Sequence, residues 1–292
     1  MPQEHIPDPS VYGAAIDPRF TLDWQTYDEL ADGQRWSTWL QVEPLCRGPE
    51  PRPGWLVTSQ GAVDTDLGVL KTGKEADVFL LERVDPLDPD GAVVMAAKRY
   101  RDTQHRSFHR AAAYTEGRST KRSRDERALK RGSTWGRVVA AGEWASSEWT
   151  ALVRCHDLGL PVPYPVQVDG TEILMEWISV VDGEGEVQTA PRLAQARPEP
   201  HLLAAYFDQL REVLTTLVQA GLVHGDLSPY NILAAGDQLV VIDLPQVVDL
   251  VGNLNALDFL MRDCTNVCTW FRARGLAVDE GELFGELMAH AF

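Results

Sequence analysis

The sequence predicts an α+β protein with two lobes, the first mainly β and the second mainly α. Short apolar runs separated by glycine-containing turns dominate residues 68–100, which is the pattern of antiparallel strands. Apolar side chains recur at helical spacing in residues 201–220 and 254–271. A stretch with polar residues set among apolar runs, residues 222–243, lies between these two helical segments. We therefore expect two lobes joined by a hinge near residue 177.

The first lobe contains five predicted strands. Residues 68–82 (G-V-L-K-T-G-K-E-A-D-V-F-L-L-E) indicate a strand, a turn at Gly73 and a second strand, and residues 93–100 (V-V-M-A-A-K-R-Y) indicate a third. Residues 166–168 and 173–178 indicate a hairpin with an Asp-Gly turn. The small residues around Gly73 let backbone amides approach phosphate oxygens. The spelling is neither G-x-G-x-x-G nor a Walker A loop.

Four helices are predicted after residue 140. The first covers residues 144–158 and ends at Gly159, a residue type that favours helix C-termini. Residues 201–220 form the most regular helix of the chain. Two more helices are predicted over residues 254–271 and 280–290.

Residues 222–243, L-V-H-G-D-L-S-P-Y-N-I-L-A-A-G-D-Q-L-V-V-I-D, are typical of phosphate-transfer chemistry. Asp226 follows a tight turn, Asn231 comes five residues later, and Asp243 ends an apolar run. Mg²⁺ prefers oxygen ligands, so Asn231 and Asp243 are the candidate metal ligands, and Asp226 is the candidate to orient an attacking hydroxyl. The alternative is an ordinary β-hairpin with solvated polar residues. The H-G-D-x-x-x-x-N spelling also occurs in small-molecule kinases, so the motif leaves the acceptor open.

Lys98 and Glu148 are candidates for binding the donor nucleotide. A lysine in the second half of a strand is typical of the residue that holds the phosphates of ATP, and a helix glutamate can pair with it. The alternatives are a solvated strand-edge lysine and an exposed helix glutamate. The hinge would begin at Met175, where the backbone of Glu176 and Ile178 would pair with an adenine edge.

The charge is distributed unevenly. The chain has a net charge of −16 and a pI near 4.8, yet residues 98–137 hold 13 of its 27 basic residues and only 4 of its 43 acidic ones. We interpret residues 101–137 as a basic flexible loop that binds a polyanion, RNA or the nucleotide itself. A solvated insertion without a ligand is the alternative. Ser119, Thr120 and Ser123 lie among its basic residues and are candidate autophosphorylation sites.

The cysteine pattern and the short length of the apolar runs favour a cytoplasmic protein that does not contact a membrane. Four cysteines form no C-x-x-C pair, which is typical of reduced, buried thiols. We expect core packing rather than metal binding at Cys264 and Cys268. The first residues lack the apolar core of a signal peptide, and no apolar run approaches the length of a membrane span.

We divide the chain into three parts. Residues 1–55 are predicted to be an N-terminal extension with a helix over 27–40 and a Pro-rich linker over 44–53. Residues 56–177 would form the first lobe, including the basic loop, and residues 178–292 the second.

Taken together, these segments resemble the RIO family of atypical serine kinases, most of all its RIO1-like branch. The resemblance extends over residues 60–275 and rests on eight ordered motifs. They are K-T-G-K-E-A-D-V-F (71–79), A-A-K-R-Y (96–100), W-A-S-S-E-W-T-A-L (144–152), L-G-L-P-V-P (158–163), L-M-E-W-I (174–178), L-V-H-G-D-L-S-P-Y-N-I-L (222–233), V-I-D-L-P-Q (241–246) and N-A-L-D-F-L-M-R-D-C-T-N-V (255–267).

The resemblance implies a protein-kinase-like fold without an activation segment, and serine/threonine kinase activity that uses ATP with Mg²⁺, or Mn²⁺ in its place. It implies a nucleotide loop made by Thr72, Gly73, Lys74, Glu75, Ala76 and Asp77, with Val78 next to them. It assigns the phosphate lysine to Lys98 and its glutamate partner to Glu148. The catalytic aspartate would be Asp226 and the metal ligands Asn231 and Asp243.

The family also includes members that act as ATPases and form a phosphoaspartate, at the position that corresponds to Asp243 here. RIO proteins are linked to ribosome maturation. The expected partners are therefore an acceptor protein, the chain itself, RNA and a ribosomal particle. Gly225 stands where the family usually has alanine, and Pro229 is common in small-molecule kinases. An aminoglycoside-type phosphotransferase and a nucleotide-switched assembly factor therefore remain the alternative hypotheses.

Overall fold

The computed structural model describes residues 30–101 and 134–291. Six antiparallel strands form the main sheet, in the order β1-β2-β3-β4-β6-β5. Their bounds are β1 Gln34–Trp36, β2 Val63–Thr72, β3 Ala76–Asp85, β4 Asp88–Tyr100, β5 Pro165–Asp169 and β6 Glu172–Glu176. The five strands expected in the first lobe are confirmed, and the last of them ends at Glu176 rather than at residue 178.

A long helix connects β4 to β5. Helix α1 covers Thr134–Asp157 and thus begins ten residues before the predicted start. It ends as predicted: Gly159 has a φ of +73°, and the amide of Leu160 donates to the carbonyl of Cys155 at 3.1 Å. This is the backbone reversal that glycine favours at a helix C-terminus. The predicted basic loop lies outside the described residues except for Arg101 and the first residues of α1, and so do Ser119, Thr120 and Ser123.

The second half of the chain is mainly helical, with small strand pairs. Three antiparallel pairs are β7 Ser179–Val181 with β8 Val187–Thr189, β9 Leu222–Val223 with β12 Val248–Asp249, and β10 Ile232–Ala235 with β11 Gln238–Val241. The helices are α2 Pro200–Gln219, α3 Ala256–Arg272 and α4 Glu280–His290. All three agree with the predicted helices to within two residues. None of the described helices is long and apolar enough to cross a bilayer.

Two apolar clusters hold these elements together. The larger one joins α1 to the helices and small strands of the second half, and it includes Leu152, Leu214 and Phe271. The smaller one lies on the main sheet and includes Trp39, Met95 and Leu174. Both faces of the main sheet therefore carry apolar packing, and the two halves of the chain meet along α1.

The prediction of a helix over residues 27–40 is wrong in its described part. Residues 34–36 instead add a strand to the edge of the sheet, with Gln34 opposite Thr65, and Trp39 is buried. The Pro-rich stretch packs on β5, where the amide of Gly48 donates to the carbonyl of Val166 at 2.8 Å. The spacing of Trp36, Trp39 and Leu40 misled the prediction because it does not mark one buried face: Trp39 is buried, whereas Trp36 and Leu40 are exposed.

Arg83 and Asp64 form a buried ion pair between β3 and β2. Arg83 Nε and Nη2 donate to the two carboxylate oxygens at 2.6 and 2.9 Å, and the two side chains are 0% and 1% exposed. Replacing Arg83 by Leu leaves a buried charge, with Arg35 Nε at 3.7 Å as a partial substitute. We expect the free energy of unfolding in urea to fall by about 3 kcal/mol.

The matched control is Arg52→Leu, which removes an exposed partner of Glu50. We expect it to change the free energy of unfolding by less than about 1 kcal/mol. Equal losses in the two variants would show that the Arg83 pair adds no more than a surface pair.

Candidate active site

Lys98 lies at the centre of the cleft between the two halves. Its Nζ is 2.6 Å from Glu148 Oε1 and 2.7 Å from Asp243 Oδ1. Burial by itself would lower the pKa of Lys98, but the negative charges of Glu148 and Asp243 outweigh it and raise the pKa well above its usual value. The lysine is therefore a permanent cation that joins α1 to the end of β11.

Tyr100 completes this arrangement. Its hydroxyl donates to Glu148 Oε2, while Lys98 donates to Oε1, so both carboxylate oxygens are held. The ring of Tyr100 also lies 5.3 Å from the ammonium group. Glu148 is 3% exposed, and a buried carboxylate needs such partners. Sequence reasoning missed Tyr100; its signal was the two-residue spacing from Lys98, which puts both side chains on one face of β4.

Asp226 and Asn231 share one loop. Asn231 Nδ2 donates to the backbone carbonyl of Asp226 at 2.9 Å. The Oδ1 atom of Asn231 therefore points away from this carbonyl and is available as a metal ligand. The amide of Asp226 donates to Nδ1 of His224 at 3.3 Å. Burial lowers the pKa of His224 to about 4, so the ring is neutral and can accept this bond. Gln246 Nε2 lies 3.5 Å from Asp226 Oδ2.

The hairpin of β10 and β11 brings Asp243 next to this loop. The amide of Ile242 donates to the carbonyl of Asn231 at 3.0 Å. Asp243 has a φ of +67° and is the only non-glycine residue with a positive φ in the described part of the chain. The charge of Lys98, more than its hydrogen bond, lowers the pKa of Asp243. A strained aspartate held as a carboxylate is a common feature of functional sites.

The oxygen donors of Asn231 and Asp243 suit Mg²⁺. This ion takes a few protein oxygens and completes its shell with water and phosphate oxygens. The amide oxygen of Asn231 and the carboxylate of Asp243 are such donors, and the hairpin holds them together. No cluster of three or more His, Cys, Asp or Glu side chains suited to a metal occurs within residues 30–101 and 134–291. Cys155, Cys264 and Cys268 are free and buried, as predicted, and Cys46 is only partly buried.

Helix α3 fixes the loop that carries Asp226. Asp263 accepts hydrogen bonds from the amides of Gly225 and Leu227, each at 2.8 Å. Asn266 Nδ2 donates to the carbonyl of Leu227 at 3.0 Å, and Arg262 donates to the carbonyl of Gly225. The helix therefore holds the backbone on both sides of Asp226. The sequence offered no local signal for this role of Asp263, because its partners lie nearly forty residues away.

Asp263 should make stability depend on pH. Burial raises its pKa from 3.8 to about 7, against the opposing effect of the two backbone amides. Between these values the folded protein binds a proton that the unfolded chain has lost, so the contribution to stability is full at low pH and is lost as the pH rises toward 7. We expect the unfolding free energy of wild type, relative to Asp263→Asn, to fall by up to about 4 kcal/mol between pH 4 and 7.

Asp258→Asn, an exposed position on the same helix, is the control. Chemical denaturation at several pH values measures all three proteins. A wild-type advantage over Asp263→Asn that is constant across this range would contradict a raised pKa.

The predicted nucleotide loop connects β2 to β3. The amide of Gly73 donates to the carbonyl of Ala76 at 3.0 Å, and a Cβ atom on Gly73 would lie 2.7 Å from that oxygen, so only glycine fits. Glu75 is half-buried, and burial followed by the charge of Asp243 raises its pKa. Asp77 points elsewhere, because both of its carboxylate oxygens bind Arg101.

The other residues of this loop are placed as follows. Thr72 and Lys74 are exposed, Ala76 is buried, and Val78 pairs with Lys98 across β3 and β4. The nucleotide loop therefore lies beside Lys98 at the cleft, and Glu75 is the loop residue near the candidate metal ligand Asp243.

The predicted hinge lies between β6 and β7. Met175 pairs with Ala96, and the amide of Glu176 donates to the carbonyl of Tyr164 at 2.9 Å. The carbonyl of Ile178 accepts from the amide of Ala190 at 3.0 Å. Because this carbonyl is already engaged, an adenine edge would pair with the amide of Ile178. The β7–β8 hairpin follows at once, which the sequence did not predict.

Comparison with known proteins agrees with this geometry. The model of the RIO domain family, RIO1, matches residues 87–283. The RIO-type serine/threonine-protein kinase Rio1 of Haloferax volcanii is 38% identical over 228 residues, covering 78% of this chain and 70% of that protein. Serine/threonine-protein kinase RIO1 of Caenorhabditis elegans is 31% identical over 211 residues, covering 72% of this chain and 38% of that protein.

A solved structure has the same fold. The Rio2 kinase–ADP/Mg²⁺–phosphoaspartate complex from Chaetomium thermophilum superposes with a TM-score of 0.54 at 22% identity, covering 77% of this chain and 62% of that one. The two-lobed fold and the lysine–glutamate–aspartate cluster in its cleft define a protein-kinase-like phosphotransferase. Within that class, the chain belongs to the RIO family of serine/threonine-protein kinases and is of the RIO1 type. The comparisons do not favour the small-molecule phosphotransferase.

Proposed function

We propose that this chain transfers the γ-phosphate of ATP to a serine of a protein, with Mg²⁺ as the metal. The observation that carries the proposal is the placement of Lys98, which contacts both Glu148 and Asp243 in a cleft that also contains Asp226 and Asn231. In related enzymes these residue types position and neutralise the polyphosphate. The Rio2 relative binds ADP and Mg²⁺, which supports the same nucleotide and metal here.

Each residue has a proposed task in the transfer to serine. Lys98, oriented by Glu148, holds the donor phosphates. Asn231 and Asp243 hold the Mg²⁺, which neutralises the developing charge when bound. Asp226 accepts the proton of the attacking hydroxyl as its oxygen bonds to the γ-phosphorus and ADP leaves. Thr72 to Val78 cover the phosphates with backbone amides, and Met175, Glu176 and Ile178 contact the adenine.

A phosphoaspartate cycle is the second candidate reaction. The Rio2 structure contains a phosphoaspartate, and Asp243 is an ionised carboxylate that is 46% exposed in the cleft. A carboxylate oxygen of Asp243 would attack the γ-phosphorus, ADP would leave, and water would hydrolyse the acyl phosphate. The net reaction is ATP hydrolysis, and a kinase step and this step would compete for the same phosphoryl group.

Incubation of the purified chain with γ-labelled ATP separates these reactions. Acid-stable label on serine supports self-phosphorylation, and mapping to residues 101–137 would identify Ser119, Thr120 or Ser123 as acceptors. Label that neutral hydroxylamine releases, which leaves phosphoserine intact, and that is absent from Asp243→Asn supports the acyl phosphate. If neither label nor released phosphate is seen with the chain or with added protein acceptors, the proposed activity is wrong.

We also propose that the basic residues 101–137 bind RNA or a ribosomal particle, and that the protein is cytoplasmic. The support is the concentration of positive charge in an otherwise acidic chain and the three buried free thiols. Recovery of RNA at moderate salt should fall when Arg122 and Arg124 are both neutralised. Unchanged recovery would remove this proposal and leave the kinase activity untouched.

A further inference from the structure

A second lysine faces the cleft beside Lys98. Lys71 in β2 is paired with Val78 in β3, and Val78 is paired with Lys98 in β4. Paired residues of antiparallel strands carry their side chains on the same face of the sheet. The face of Lys98 is the cleft face, because its ammonium reaches Asp243. Two strand spacings separate the backbones of Lys71 and Lys98 by about 10 Å. Lys71 directly precedes the nucleotide loop.

Arg192 faces the same space from the other half of the chain. It follows the β7–β8 hairpin and forms an antiparallel bridge with Leu233 of β10. The carbonyl of Pro191 fixes this position by accepting the amide of Ala234 at 2.8 Å. Leu233 lies two residues after Asn231, and side chains two residues apart along a strand share a face. Arg192 is therefore on the side of the hairpin that carries the proposed metal ligand.

Neither side chain forms an ion pair or a hydrogen bond in the described part of the chain. Among residues 30–101 and 134–291, no carboxylate or carbonyl is within ion-pair or hydrogen-bond distance of the side chain of Lys71 or Arg192. Partial burial and then the positive charge of Arg192 lower the pKa of Lys71. Burial also lowers the pKa of Arg192, against the opposing effect of Asp243. Two cations from opposite halves of the molecule are thus close enough to repel each other and to be attracted by Asp243, without a direct ion pair to it.

The other charges of the cleft explain what this pair is suited to bind. Lys98 donates two of its three N–H groups to Glu148 and Asp243, which leaves one N–H for a phosphate, and the two carboxylates offset its positive charge. Asp226 and Glu75 add further negative groups. A polyphosphate entering this cleft would meet a surplus of negative charge unless other cations compensate it.

We propose that Lys71 and Arg192 form a second phosphate-binding site, which holds the polyphosphate of the nucleotide from both halves of the cleft. This inference rests on the proposed function and adds two ligand-binding residues to it. A phosphate between them removes their mutual repulsion and forms charge-assisted hydrogen bonds with both. It also ties the nucleotide loop to the second half of the chain.

The test is a series of nucleotides that differ only in phosphate number. Dissociation constants of ATP, ADP, AMP and adenosine are measured calorimetrically, with Mg²⁺ present, for wild type, Lys71→Gln, Arg192→Gln and the double variant. We expect each single variant to weaken ATP binding about tenfold, the size of one charge-assisted contact, with smaller effects on ADP and AMP and none on adenosine. Because both residues share one ligand, the double variant should lose less than the product of the single losses.

Arg197→Gln is the matched control, since Arg197 is exposed and lies beside Arg274 instead of the cleft. It should bind all four ligands as wild type does. Equal weakening of ATP and adenosine would mean that the two residues serve packing, and it would overturn the inference. Unchanged ATP affinity with a raised KM for an acidic protein acceptor would overturn it too, since the anion would then belong to the acceptor. Wild type that binds none of the four ligands would refute the proposed function itself.

Discussion

Asp226→Asn should lower kcat for phosphoryl transfer about 10³-fold and change the KM for ATP by less than about threefold. The loop around Asp226 is held by Asn231 and by Asp263 of α3, and these contacts use the backbone, which the substitution leaves intact. An asparagine has nearly the same shape but cannot accept the proton of the hydroxyl. The loss should therefore appear in the chemical step. Single-turnover transfer of labelled phosphate at saturating ATP measures it.

Asp237→Asn provides the comparison for this substitution. Asp237 is exposed in the turn between β10 and β11, so removal of its charge should leave turnover unchanged. Thermal unfolding of each variant shows whether the fold is retained. Turnover like that of wild type in Asp226→Asn would exclude the proton-accepting role.

Asp243→Asn should abolish the Mg²⁺ dependence of ATP binding and lower kcat by at least about 10³-fold. The variant loses the ionic partner of Lys98 and replaces a charged metal ligand by a neutral one. Its fold should survive, because asparagine tolerates the positive φ of this position better than most residues. ATP affinity is measured with Mg²⁺ and with a chelator. Wild type should bind more tightly with the metal, and the variant should bind equally in both conditions.

Asp258→Asn controls for the loss of one negative charge, since Asp258 is exposed on α3. It should keep the metal dependence of wild type. If Asp243→Asn still gains affinity from Mg²⁺, the metal is held mainly elsewhere. If its kcat falls while the metal dependence of binding remains, Asp243 acts in the reaction and not as a ligand.

Much of the fold could be predicted because most of its elements carry a local pattern. The helix over Glu280–His290 agrees with its prediction residue for residue, and Pro200–Gln219 differs from its prediction by one residue at each end. Regular apolar spacing makes such helices legible. The prediction of an N-terminal helix failed because Gln34–Trp36 pair with the edge of the sheet and Trp39 packs on it, and local spacing reveals neither contact. The small β7–β8 hairpin was missed because its strands have only three residues each.

Some residues of the candidate site could likewise be predicted from local motifs, and others could not. The motifs singled out Lys98, Glu148, Asp226, Asn231 and Asp243, since each belongs to a short stretch with a characteristic spacing. The resemblance places Asp77 in the nucleotide loop, and only the structure shows that its carboxylate binds Arg101, because a motif locates a residue without stating where its side chain points. No motif singled out Lys71 and Arg192, because they belong to different sheets and 120 residues of chain lie between them.

The sequence by itself determined the family, the longer strands and helices after residue 60, and the residue types available for phosphate transfer. These properties reside in residue spacing and in local periodicity, and they require no knowledge of distant contacts. Only the tertiary structure decided that Tyr100 and Lys98 share the carboxylate of Glu148, that Asp263 holds the loop of Asp226, and that strand pairing places Lys71 and Arg192 on the cleft side of their sheets. Each of these depends on strand register or on the packing of α1 and α3, which bring together residues whose separation along the chain has no local signature.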